Sequence, residues 1–424
     1  VKKAPIKEVS ASRALWQFPL LRELSEGADA FADGPFGSNL KTEHYAPSGA
    51  RVVRLQNIGL GEFLDRDKAF ISLDHFRKLR RHEVRSGDVI VAALGDGARP
   101  AGRACRIPDE FGIGIVKADC FRVRLPAHVI DAHFLVSFFN SPTALAQFAN
   151  DMRGATRPRV TLQMLKDTRI PLPPLAEQQR LATRLRKELD EAARARAALK
   201  AQLTAVEALP AAHLRAIFQN AEAQGWRVRK MGDFGEIVGG IQKQPNRVPV
   251  KFHKAFLTVR NVQHGALNLS RVERFEVTPA EFGRCRLQRG DLLIVEGNGS
   301  RDHIGRNALF NEDGEWIHQN HIIRVRLPPE PLSPEFVSHY LNSETGRAQL
   351  IEKARTTTGL YTLSTGKIAS LEIPAPEPLK QAQIVASLND EYAATHALRA
   401  ALAAKLAEVE KLPATLLRAA FDAK

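Results

Sequence analysis

IPLPPLAEQQRLATRL, residues Ile170–Leu185, is answered 203 positions later by IPAPEPLKQAQIVASL, residues Ile373–Leu388. The register then holds without a gap to LPAAHLRAIF (Leu209–Phe218) against LPATLLRAAF (Leu412–Phe421), with 21 of 49 aligned positions identical. Alanine-rich composition alone can make two helices look alike. It does not set Pro171, Pro173, Pro210 and Phe218 opposite Pro374, Pro376, Pro413 and Phe421. The chain is a tandem duplication.

Each copy reads as a long helix. The prolines at 171, 173 and 174 hold an extended approach, because proline disfavours helix in the residue before it. Beyond them Leu181, Leu185, Leu189, Ala192, Leu199, Leu203 and Val206 are apolar. With Arg196 included, the steps from Leu185 run 4, 3, 4, 3, 4, 3, the a/d rhythm of a coiled coil. The second copy offers Ile384, Leu388, Tyr392, Thr395, Leu402, Leu406 and Val409, with Arg399 in the matching place. Pro210 and Pro413 are expected to break or kink each rod ahead of a short terminal helix.

Outward from the rods, the rest of the chain repeats as well. RVVRLQNI (Arg51–Ile58) matches LTVRNV (Leu257–Val262), and Gly87–Ile107 matches Gly290–Phe310. FRVRLP (Phe121–Pro126) matches IRVRLP (Ile323–Pro328), and HFLVSFFNS (His133–Ser141) matches EFVSHYLNS (Glu335–Ser343). Short alternating strands with glycine turns predict a mostly antiparallel sheet carrying a few helices. The fold class is therefore α+β: two sheet-rich globules and two long helices packed as an antiparallel coiled coil, related by a pseudo-two-fold internal repeat. The segments are 1–169, 170–220, 221–372 and 373–424.

The 424 residues carry a net charge of +14, which points to a polyanionic partner. No apolar run approaches membrane-spanning length, and the first ten residues, VKKAPIKEVS, lack the apolar stretch of a secretory signal. Cys105, Cys120 and Cys285 form no CxxC pair and do not repeat between halves, so a reducing, cytoplasmic setting is expected.

One polar pattern recurs with its spacing. Gly95, Asp96, Gly97, Ala98, Arg99, Gly102 and Arg103 return as Gly297, Asn298, Gly299, Ser300, Arg301, Gly305 and Arg306. Glycines permit close backbone approach, and arginines hold phosphate oxygens or a guanine edge. A hairpin turn with solvated arginines is the competing reading. Neither copy is a phosphate-binding P-loop, since the Lys-Ser/Thr end is missing. The loops ahead of the rods add Arg153, Thr156, Arg157 and Arg159, then Lys353, Arg355, Thr356, Thr357 and Tyr361. Hydroxyls and cations of this kind suit nucleic-acid backbone contacts.

Chemistry is sparse by comparison. There is no Asn-Pro-Pro-aromatic motif, and Asp109 and Glu110 ahead of Lys117 lack nuclease spacing. His318 and His321 have no recurring carboxylate or cysteine to complete a metal site, so no metal is expected. A duplicated enzyme would duplicate its chemistry; the duplicated polar residues here suggest a binder.

DGPFGSNLKTEHY (Asp33–Tyr45), RVVRLQNI, SGDVIVAALG (Ser86–Gly95) and IPLPPLAEQQRL, followed by the same order ending in IPAPEPLKQAQI, resemble the specificity subunit of Type I restriction–modification systems. The resemblance covers nearly the whole chain. It implies two target recognition domains, each reading one half of a split double-stranded DNA site, with the helices setting the unread spacer. It also implies docking of two adenine-methylating modification subunits, to which restriction subunits can add. S-adenosylmethionine then belongs to the partner, no cofactor belongs to this chain, and the chain is not itself an enzyme.

On that resemblance the first half offers Ser38, Asn39, Lys41, Arg99, Arg103, Arg153, Arg157 and Arg159 to DNA. The second offers Gln242, Lys243, Asn298, Arg301, Arg306, Arg355 and Tyr361. Leu175, Glu177, Gln178 and Gln381 are the expected partner-docking residues. The second copy departs from the pattern, with VGGIQKQPN (Val238–Asn246) for DGPFGSNLK and PEPLKQAQ for PPLAEQQ, so different half-sites are expected. Some 35 helical residues span about 50 Å, or roughly 15 base pairs. Arg196 and Arg399 are expected to meet near the pseudo-two-fold centre and to snorkel outward or pair with Glu188 or Glu391. The alternatives are the recognition subunit of a combined nuclease–methyltransferase, a two-domain transcriptional regulator without a helix-turn-helix, and an enzyme in its own right.

Overall fold

The computed structural model describes residues 16–96, 99–151, 159–219, 225–244, 247–297, 301, 303–328, 330–354 and 361–422. They form two compact units, Val1–Leu199 with Lys405–Lys424, and Lys200–Ala404. Each long helix is thus divided between the two, and the cut does not follow the four segments marked in the sequence.

The first unit is built on a four-stranded antiparallel sheet of β1 (Phe31–Asp33), β2 (Val89–Ala92), β3 (Ala104–Arg106) and β4 (Cys120–Val123), in the order β1-β4-β2-β3. Alternate residues of a strand face opposite ways, and here both faces are covered. Val89 and Val91 join Phe121 and Val123 in one core with Phe134 and Phe138, whereas Ile90 and Ala92 join Val53, Ile58 and Val116 in another. That is why β2 reads as an unbroken apolar run.

The second unit repeats the order with β5 (Glu236–Gly239), β6 (Asp291–Val295), β7 (Asn307–Phe310) and β8 (Ile322–Arg326), arranged β5-β8-β6-β7. Leu292 and Ile294 face one core, Leu293 and Val295 the other.

Beside each antiparallel sheet lies a mixed one, five-stranded in the first unit and three-stranded in the second, each with a single parallel pairing, so pairing stays mostly antiparallel as expected. Ala50–Val53 runs parallel to Gly114–Val116, and His253–Leu257 runs parallel to Trp316–His318. Parallel neighbours need a long crossover, and here the crossover includes two of the strands of the antiparallel sheet.

The helices of the sequence are present: α1 (Ala132–Phe139), α2 (Leu175–Phe218), α3 (Pro334–Asn342) and α4 (Pro378–Phe421). In the first unit Leu181, Ala182, Leu185 and Leu189 near the start of α2 share a core with Leu416, Leu417, Ala420 and Phe421 at the end of α4. In the second, Leu214 and Phe218 at the end of α2 share one with Ile384, Leu388 and Tyr392 near the start of α4. The two helices run antiparallel. Phe421 meets the ring edges of Phe134 and Phe138 at 5.4 Å each, and Phe218 meets Phe336 and Tyr340 at 5.5 Å each. The repeat extends to individual aromatic contacts.

One expectation about the rods needs correction, and another holds with a different carboxylate. Pro210 and Pro413 interrupt neither helix; both lie inside continuous 44-residue helices. A proline forfeits one helical hydrogen bond, and the buried residues on either side, Val206 and Leu214 in α2, hold that helix through the gap. Arg196 and Arg399 are both exposed, as the outward expectation had it. The carboxylate facing Arg399 is Glu207, at 3.8 Å, rather than Glu188 or Glu391, and Glu391 pairs instead with His213. Among the described residues no helix is long and apolar enough to cross a membrane.

Candidate nucleic-acid interface

Three stretches that lie far apart in sequence meet at one edge of the first unit. Gly34 brings the DGPFG turn against the backbone of Lys117 and Ala118, where any side chain would collide. The Ala93 N–H donates to the Asp119 carbonyl at 2.8 Å, and the Val160 N–H donates to the Ala93 carbonyl at 2.8 Å. Leu94 and Arg159 form an antiparallel bridge. The glycine turn, the turn of residues 33–41 and the end of the loop before the rod are thereby one surface.

The second unit makes the same joints. Gly240 abuts the backbone of His318 and Gln319. The Glu296 N–H donates to the His321 carbonyl at 2.9 Å, the Leu363 N–H to the Glu296 carbonyl at 2.7 Å, and Gly297 bridges Thr362. The scaffold is duplicated, but the side chains it presents are not.

In the first unit the exposed contributors are Phe36, Asn39 and Lys41, with Arg99 and Arg159 partly exposed. Arg99 is held by Asp96, its backbone N–H at 2.9 Å from one carboxylate oxygen and Nε at 3.0 Å from the other. Arg159 Nη1 lies 2.6 Å from Asp119 Oδ1, and its guanidinium sits 6.0 Å from the Phe36 ring centroid. In the second unit Gln242, Lys243 and Arg301 are exposed, Lys243 paired with Glu273. Tyr361 is half-buried against the core. Burial pushes the Glu296 carboxyl up, and the nearby His321 pulls it back. Arg153, Arg157, Asn298 and Arg355 lie outside the described residues, as does the Ser38 side chain.

Two of the four arginines in the repeated glycine pattern are not available to a ligand. Arg103 is 1% exposed. It donates to the carbonyls of Ile58 at 2.8 Å, Leu94 at 2.8 Å, Pro100 at 3.0 Å and Leu55 at 3.0 Å. Arg306, 8% exposed, reaches the Val259 carbonyl and the Gln263 side chain. The Arg103 guanidinium, satisfied by carbonyls from several loops, is a structural pin, and Arg306 is buried against the single loop of Val259 and Gln263. Both belong to the frame beneath the edge.

The same correction applies to the docking glutamines. Gln178 is buried; it accepts from the Asp131 N–H at 2.9 Å and donates to the carbonyls of Val129 and Pro173 at 3.2 and 2.9 Å. Gln381 is its double, accepting from the Ser333 N–H at 2.9 Å and donating to Pro331 and Pro376, each at 2.8 Å. They clamp the start of each rod to its own unit. Leu175 stays half-exposed, and Glu177 is chelated by Arg180 at 2.7 Å through both oxygens, which holds its carboxyl below the usual range.

Other repeated polar residues follow suit. Asn57 and Asn261 are buried, each capping its own turn through one accepted and two donated backbone bonds. Arg124 grips Asp88 at 2.7 and 2.8 Å, and Arg326 grips Asp291 at 2.7 Å through two nitrogens. Much of the duplicated polarity therefore marks architecture, with Arg99 and Arg301 of the repeated pattern left at the surface. His318 is likewise structural: fully buried, its Nδ1 3.0 Å from the Ile322 carbonyl, with burial lowering its pKa to about 4. No group of three or more metal-ligating side chains occurs among the described residues.

Residues 88–205 match the family model described as the Type I restriction modification DNA specificity domain. This match and those that follow support a specificity subunit of a Type I restriction–modification system. It is 24% identical over 398 residues to the Type I restriction enzyme EcoKI specificity subunit of Escherichia coli (strain K12), covering 90% of this chain and 83% of that one. It is 22% identical over 396 residues to the StySPI specificity subunit of Salmonella potsdam, with the same coverage. In fold, the chain matches the HsdS subunit from Thermoanaerobacter tengcongensis with a TM-score of 0.66, at 20% identity over 99% of this chain and 98% of the other. A structure from work on the assembly and conformational transition of the type I R-M system matches at a TM-score of 0.69, with 21% identity and 99% of both chains covered.

Proposed function

We propose that this DNA-recognition subunit reads a bipartite duplex site, one half per unit, and carries two modification subunits to it. The observation that carries the reading is the repeated edge: identical backbone joints at Leu94–Arg159 and Gly297–Thr362 present unlike side chains. One scaffold used twice with different contact residues suits two different half-sites. The net charge of +14 favours the phosphate backbone as the common part of both contacts.

In this reading S-adenosylmethionine and the methyl-transfer chemistry belong to the modification subunits. Arg99, Arg159, Lys41 and Asn39 serve one half-site, and Gln242, Lys243 and Arg301 the other. Leu175 and the exposed faces of α2 and α4 remain for the partners. The test is adenine methylation of a plasmid library by the chain alone, by modification subunits alone, and by both with S-adenosylmethionine. Methylation of a split motif only in the third arm is expected. Methyl transfer by the chain alone would overturn the division of labour.

A further inference from the structure

Building on its role in DNA recognition, we infer that Asp119 is a positioning residue that makes Arg159 a reader of a guanine edge in the first unit's half-site. Among the described residues Asp119 is the one non-glycine with a positive φ, at 69°. That left-handed conformation is uncommon for side-chain-bearing residues and is tolerated best by Asp and Asn. Its carbonyl is pinned by the Ala93 N–H, and Arg159 is pinned by its bridge to Leu94. Both ends of the pair are therefore tied by backbone bonds to the two residues that follow β2, not left on free loop.

The geometry selects among the uses of an arginine. Asp119 occupies one end of the guanidinium at 2.6 Å, Phe36 flanks it, and 40% of the Arg159 side chain stays exposed. A carboxylate this close cancels most of the attraction for a phosphate and adds repulsion of its own. It leaves hydrogen bonding to a neutral base edge intact, and the guanine O6/N7 pair matches the guanidinium fork. A fixed, charge-compensated arginine reads a base better than it holds a backbone. In the second unit, His321 and Thr362 make the backbone joints that Asp119 and Arg159 make in the first. The device is confined to one half of the site.

The test uses the full chain and a randomised duplex library, comparing wild type with D119N, R159K and R159A. Asn keeps the left-handed backbone, so D119N should melt with wild type; R159K keeps the charge but loses the fork. Wild type is expected to select a guanine at one position. D119N and R159K should each lower that preference about tenfold while leaving the other positions and the salt slope in place. Replacing that guanine with 7-deazaguanine should weaken wild type by a similar factor and add little to R159K. If R159A weakens all sequences alike and reduces the salt slope by about one, Arg159 holds a phosphate and the inference falls. It falls equally if D119N and R159K leave every preference unchanged. Failure of wild type to select any sequence would instead strike at DNA recognition itself.

Discussion

At the residue scale, the duplication separates frame from function better than polarity does. Gln178 and Gln381 illustrate this, since each satisfies three backbone groups at the foot of a rod. Replacing Gln178 with Ala strands the Asp131 N–H and two carbonyls, and a stranded buried group costs about 1–3 kcal/mol. Q178A should therefore lower the first unit's unfolding free energy, measured in urea, by about 2 kcal/mol, and affect partner binding only through that loss. A Q178A chain that unfolds like wild type but fails to bind modification subunits would restore the docking role. His318 gives a second check. Its folded pKa of about 4 lies below the unfolded value of 6.5, so the neutral form is favoured on folding. Stability is complete above pH 6.5 and declines as pH falls towards 4, by about 3 kcal/mol in total. In H318N, whose amide does not titrate, that part of the acid sensitivity should disappear from the second unit's unfolding curve.

Sequence spacing served well for elements and poorly for pins, for a physical reason. The seam of α2 and α4 was legible because burial along a helix follows its own period: Leu181, Leu185, Ala192 and Val206 are buried, and so are Ile384, Leu388 and Leu402. The burial of Gln178 depends on Val129 and Asp131, which lie 49 and 47 positions away, and no local pattern reports them. Arg103 was misread for the same cause, its carbonyl partners at Leu55 and Ile58 coming from another loop. Arg196 fitted the seam spacing and yet is exposed, because a long cation on a seam position can leave it. The energetic contrast follows. L185A, at 1% exposure, should cost about 2–5 kcal/mol in the first unit. R399L, on an exposed side chain 3.8 Å from an exposed Glu207, should change stability by less than about 0.5 kcal/mol. A large loss for R399L in thermal melts would show that the ion pair holds the helices together.

For the whole molecule the question is what the rods measure. Each continuous 44-residue helix is about 66 Å long, more than the approximately 50 Å inferred from the heptad run, because Pro210 and Pro413 do not end them. If the helices set the distance between half-sites, shortening both in step should shorten the unread spacer. Removing residues 193–199 and 396–402 takes one heptad from each rod and keeps the seam in register, with Leu203 and Leu406 replacing Arg196 and Arg399 after Ala192 and Thr395. Seven helical residues are about 10 Å, or roughly three base pairs. On the proposed function, methylation mapping with the shortened chain and modification subunits should then return both half-site sequences unchanged, with the spacer reduced by about that amount. Sequence reading at the two edges would be untouched, since neither deletion comes near the loops joined at Leu94–Arg159 or Gly297–Thr362. A methylation map with the original spacer would mean that the rods hold the units without setting their separation on DNA.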